Sequence, residues 1–118
     1  MNSRIEAGRK LLEELDRQGA RVGSAFWSYD IDADEWRLVL SMPMVERLGV
    51  RAAYDHITRA LKAAGIQDLY LRQIAAVSPH ERIVASLSGA IRTRSELRVS
   101  RSVVGDEWIE GAYVYRST

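Results

Sequence analysis

The sequence predicts an α+β domain of two layers, with three helices and a five-stranded sheet that is mixed but mostly antiparallel, in the order α-β-β-α-β-α-β-β over residues 1–118. Three observations carry that expectation. Apolar residues recur at helical spacing in three separate segments, and two hairpin patterns rich in aromatic and β-branched residues flank the second and third of them. A single strand between those two helices, rather than strict βαβ alternation, argues against a doubly wound parallel sheet.

The first helix follows from Ile5, Gly8, Leu11, Leu12 and Leu15, which fall on one face, with Glu6–Lys10 and Glu13–Arg17 at i,i+4 on the polar side and a stop near Gly19. Two strands come next, Ser24 to Tyr29 and Trp36 to Met42, joined by the acidic stretch 30–35. With Tyr29 opposite Trp36, the residues Ala25, Trp27, Tyr29, Trp36, Leu38 and Leu40 share the core face, while Phe26, Ser28, Arg37, Val39 and Ser41 share the other.

Pro43 opens a short turn that closes at Gly49, and the stripe Val50, Tyr54, Ile57, Leu61 and Ala64 then predicts the second helix, ended by Gly65. The apolar segment from Asp68 to Val77 predicts a third strand through Tyr70–Ile74, with a short helix as the alternative that fits the same residues. Ser78-Pro79-His80-Glu81 has the form of a capping box with proline in the first turn, so the third helix is expected to begin there and to end around Arg92-Thr93, burying Ile83, Val84, Leu87 and Ile91.

Val104-Gly105-Asp106-Glu107 then fits a two-residue hairpin turn, which fixes the partners of Leu97–Val104 and Glu107–Val114. Val103 faces Trp108, Arg101 faces Glu110, Val99 faces Ala112 and Leu97 faces Val114 on an apolar side, where Arg101 and Glu110 are expected to form a partly buried ion pair. Arg98, Ser100, Ser102, Ile109, Tyr113 and Tyr115 occupy the other side.

Bulk composition narrows the function classes. Apolar residues at 47% and charged residues at 28% are those of a chain that folds alone, not of a disordered one. A net charge of +1 gives no global field for a polyanionic partner, although Lys10 and Lys62 are the only lysines and the remaining cations are arginines, which fork onto carboxylates and phosphates. The absence of cysteine excludes disulfides, thiolate catalysis and Cys-ligated metal, and fits a reducing, bacterial-type cytoplasmic location. No apolar run has the length of a signal core or membrane span, so no membrane association is expected.

Catalytic signatures are weak. Asp30, Asp32 and Asp34 match the first ligands of a calcium loop, but Glu35 stands where glycine is required and Ser41 where the closing glutamate belongs. Asp30 with Glu35-Trp36-Arg37 faintly echoes a magnesium nuclease, yet an arginine in place of the lysine cannot serve as a base. His56 and His80 lie at no metal-ligand spacing, and a neutral His80 in a first helical turn is the one acid–base candidate. Gly89 belongs to no phosphate loop, and neither a nucleophile elbow nor a dinucleotide fingerprint occurs. No cofactor, metal or catalytic residue is therefore expected.

The best lead is a surface made by Arg92, Arg94, Arg98, Tyr113 and Tyr115, with Arg98 directly across from Tyr113. Tyrosine and arginine anchor protein interfaces, so the favoured reading is a small non-catalytic binding or accessory module acting through protein contacts, a homodimer through the hairpin edge included. The same residues could stack bases and neutralise phosphates, which makes nucleic-acid binding the alternative. A metal-dependent nuclease or acid–base enzyme using Asp30, Asp32, Asp34, Glu35 or His80 is the weakest reading. Against all of these stands the expectation that the first helix covers the face bearing Tyr113, Ile109, Phe26 and Val39 and makes it core.

Overall fold

The computed structural model describes residues 2–91, 96–99, 102–104, 107–109 and 111–117. Within them the α+β class holds, with a five-stranded mixed sheet and four helices. The elements are α1 (Asn2–Arg17), β1 (Ala25–Asp30), β2 (Glu35–Ser41), α2 (Met44–Leu48), α3 (Val50–Ala63), β3 (Ile74–Val77), α4 (Arg82–Ala90), β4 (Leu97–Val99), β5 (Ser102–Val104), β6 (Glu107–Ile109) and β7 (Ala112–Arg116). The sheet order is β3-β2-β1-β7-β4, and all neighbours are antiparallel except β2 and β3, which the α2–α3 crossover leaves parallel.

Both predicted hairpin registers are present. Tyr29 pairs with Trp36 and Trp27 with Leu38, while Leu97 meets Val114, Arg98 meets Tyr113 and Val99 meets Ala112. The β5–β6 ribbon continues that second register, with Val103 opposite Trp108. Arg101 and Glu110, the expected ion pair, lie outside the described residues, as do Arg92 and Arg94.

Local differences have local causes. The turn after Pro43 is helical, because Pro43 already sits at φ −56° and ψ −28° and its carbonyl accepts the Glu46 N–H. The third strand starts at Ile74, not Tyr70, since the Gln73 N–H bonds the Tyr70 carbonyl and the Gln73 side chain accepts the Tyr70 N–H, closing a 3₁₀ turn over Leu71–Gln73. The capping box does not form. Ser78 Oγ accepts the His80 N–H and the Ser78 carbonyl accepts that of Glu81, so residues 78–81 make a turn, Glu81 stays extended, and α4 begins at Arg82. On α1 the ion pairs run i,i+3, Glu6 to Arg9 and Glu14 to Arg17.

The two predicted layers gain a third. Ile5, Leu11, Leu12 and Leu15 of α1 and Ala53, Ile57 and Ala60 of α3 bury the face carrying Trp27, Leu38, Leu40 and Ile74. On the opposite face Phe26, Val39, Ala112 and Val114 form a second core with Val84 and Leu87 of α4. Phe26 and Val39 are thus covered by α4, whereas α1 covers the tyrosines of β7: Phe26 pairs with Val114 and Trp27 with Tyr113, which puts Phe26 and Tyr113 on opposite faces. An irregularity between Ala25 and Phe26 lets β7 run one residue further, pairing Ala25 with Arg116.

Candidate functional site

Of the predicted surface, three residues lie in the described part, and they divide. Tyr115 is only 4% exposed. Its hydroxyl donates to the Ile5 carbonyl (2.7 Å) and accepts the Trp27 indole N–H (2.8 Å), joining α1 to the sheet. Burial pushes its ionisation up from the usual phenol range. A ring so held cannot stack on an incoming base.

Tyr113 is half-buried against the larger core, with its ring edge-on to Tyr115 at 5.5 Å. Its hydroxyl donates to the Glu96 carboxylate, which also takes a fork from Arg9: Nε to Oε2 at 2.8 Å and Nη2 to Oε1 at 2.6 Å. Arg98 lies over the outer side of the Tyr113 ring, 5.3 Å from its centroid, and is exposed. The site is therefore Arg9–Glu96–Tyr113–Arg98 along the start of β4. The sequence supplied Arg98 and Tyr113 but not Arg9 and Glu96, because Arg9 sits just off the apolar stripe of α1 and its partner is 87 residues away.

The Arg9 guanidinium holds the Glu96 carboxyl at about 2, against an ordinary 4.5; burial opposes this and the Tyr113 hydroxyl assists it. A carboxyl depressed on folding stabilises the fold above its unfolded value and loses that contribution as pH falls toward its folded value. Melting temperature is accordingly expected to drop between pH 4.5 and 2, and Glu96→Gln to remove that part of the acid sensitivity. The difference between the two proteins should shrink in high salt, since the carboxylate is one-third exposed. Parallel acid limbs for wild type and Glu96→Gln would contradict the assignment.

The two edges of the sheet differ. At β3 the Val77 carbonyl accepts the Met42 N–H on the β2 side, so alternation turns the polar groups of Ile74 and Ala76 outward. There the Tyr54 hydroxyl donates to the Ile74 carbonyl (3.1 Å) and accepts the Ala76 N–H (3.2 Å). That edge is plugged by a side chain from α3. At β4, among the described residues, no strand or side chain takes the equivalent position, and Leu97 is 41% exposed there.

The acidic hairpin tip has intramolecular duties. Asp30 Oδ1 accepts the N–H groups of Asp32 (3.1 Å) and Ala33 (3.2 Å), Asp34 at φ +52° accepts the Tyr29 hydroxyl, and Glu35 bonds Arg37 at 2.9 Å. Among the described residues no group of three His, Asp or Glu side chains could hold a metal ion. His80 faces Glu46 through Nδ1 at 3.0 Å on an open surface, and the nearby Ser78 Oγ accepts the His80 backbone N–H. No described helix is long and apolar enough to cross a membrane. Compared with protein-family models, curated proteins and solved structures, the chain matches none.

Proposed function

We propose that this chain is a small cytoplasmic, non-catalytic binding module that acts through protein contacts at the β4 edge of its sheet. The observation that carries the reading is the asymmetry of the two edges: Tyr54 seals β3, while β4 presents Leu97 and Arg98 outward. Natural sheets seal, charge or pair their edges because an open row of backbone donors and acceptors templates another strand. An edge with an exposed leucine beside an arginine-capped tyrosine offers both the backbone ladder and the side chains that anchor interfaces. Strand pairing is favoured over base stacking because the Tyr115 ring is buried and Arg98 already lies over the Tyr113 ring. A cysteine-free composition suits a reducing compartment.

Site-specific photo-crosslinking in the source cell tests the proposal. A photoreactive side chain at Leu97 is expected to give a discrete protein adduct, whereas one at Leu71, exposed near the sealed edge, is expected to give none. Adducts to nucleic acid at Leu97, or no adduct above the Leu71 background, would overturn it.

A further inference from the structure

We infer that the partner of the β4 edge is a second copy of this chain, paired antiparallel about a two-fold axis through Leu97. The inference rests on the reading of that edge as the interaction surface and adds to it a partner and a register. In an isologous strand pair, the residues flanking the axis exchange places. Centring the axis on Leu97 sets Glu96 of each copy opposite Arg98 of the other and Leu97 opposite itself.

That register is self-complementary in charge and in polarity. Glu96 and Arg98 are two residues apart and so share a face, the one carrying Tyr113, where Arg98 already lies over the ring and the Tyr113 hydroxyl meets Glu96. Two cross-strand ion pairs would form there. Arg98 makes no ion pair among the described residues and Glu96 remains one-third exposed, so each has capacity for a further partner. On the opposite face Leu97, aligned with Val114, would be covered by its own copy. At 41% exposure it is one of six large apolar side chains left open among the described residues.

The Arg9 fork prepares the pair. It fixes both Glu96 oxygens at 2.6–2.8 Å before association, so the carboxylate loses little freedom on meeting a second guanidinium. The sealed β3 edge limits growth, because a sheet that pairs only through β4 stops at two copies, ten strands across, and does not extend into a fibre.

Sedimentation of the full chain across a concentration series tests the inference. Wild type is expected to shift from 13.3 kDa to twice that mass. Arg98→Glu, which faces Glu96 with Glu twice, is expected to weaken dimerisation by on the order of tenfold or more. Mixed with Glu96→Arg, itself weakened, it is expected to form a heterodimer, because each copy then supplies the charge the other lacks. Leu97→Cys in this cysteine-free chain is expected to oxidise to a covalent dimer faster than Leu71→Cys, a readout that does not depend on how well Glu96→Arg folds. A wild type that stays monomeric overturns the inference, as does a dimer indifferent to Arg98→Glu in which Leu97→Cys oxidises no faster than Leu71→Cys. A monomeric wild type with a Leu97 crosslink to a different protein would overturn the dimer and leave the edge reading standing.

Discussion

Truncating Phe26 to alanine is expected to cost about 3–5 kcal/mol of stability, as for other fully buried phenylalanines. Phe26 is 1% exposed and packs with Val39, Val114 and the α4 side chains Val84 and Leu87. Removing the ring leaves a cavity between the sheet and α4 in the cluster that also holds Val39, Val84, Leu87 and Val114. Denaturant unfolding measures the cost, and amide exchange should show the α4 protection falling further than that of α1, which lies on the other face. A cost within about 0.5 kcal/mol, the usual range for an exposed position, would mean that α4 does not cover this face.

Phe26 also shows what the sequence could and could not convey. Alternation specifies which residues share a face, and the β1–β2 and β4–β7 registers were readable because aromatic pairing and turn chemistry fix the strand partners. Alternation does not specify what lies over a face. Phe26 and Val39 stand among Ser28, Arg37 and Ser41, so their side reads as half-polar. Only the position of α4, a tertiary fact, makes it core. Capping was misleading for a related reason: Ser78 has several backbone N–H groups within reach, and its hydroxyl takes that of His80. The Arg98–Tyr113 contact was readable from register, whereas Glu96 gains its role only through Arg9 on a distant helix, and Tyr54 looks like any stripe residue until its hydroxyl is seen on the β3 edge.

Gly8→Ala sets two effects of opposite sign against each other. In an open helix interior the change favours folding by about 1 kcal/mol through helix propensity. Here the added Cβ would lie 2.3 Å from the Tyr115 hydroxyl oxygen, 2.9 Å from its Cζ and 3.2 Å from the Trp27 indole nitrogen. A tyrosine tip can often swing aside, but this one is held on one side by the Ile5 carbonyl and on the other by Trp27, so α1 must lift from the sheet. Overpacking of that kind costs about 1–3 kcal/mol or more and outweighs the propensity gain, so net destabilisation is expected. Tyr115→Phe should cost about 1–3 kcal/mol by leaving the buried Trp27 N–H without a partner. Combined with Gly8→Ala it also removes the atom that the methyl meets first, so the double variant is expected to be more stable than the sum of the single losses predicts. Tyr115→Phe should flatten the alkaline limb as well. A phenol raised by burial stabilises the fold below its ordinary value of 10.0 and loses that contribution as pH rises above it, a loss that phenylalanine cannot show. A stabilised Gly8→Ala, or strictly additive losses, would mean that α1 does not seat on Tyr115.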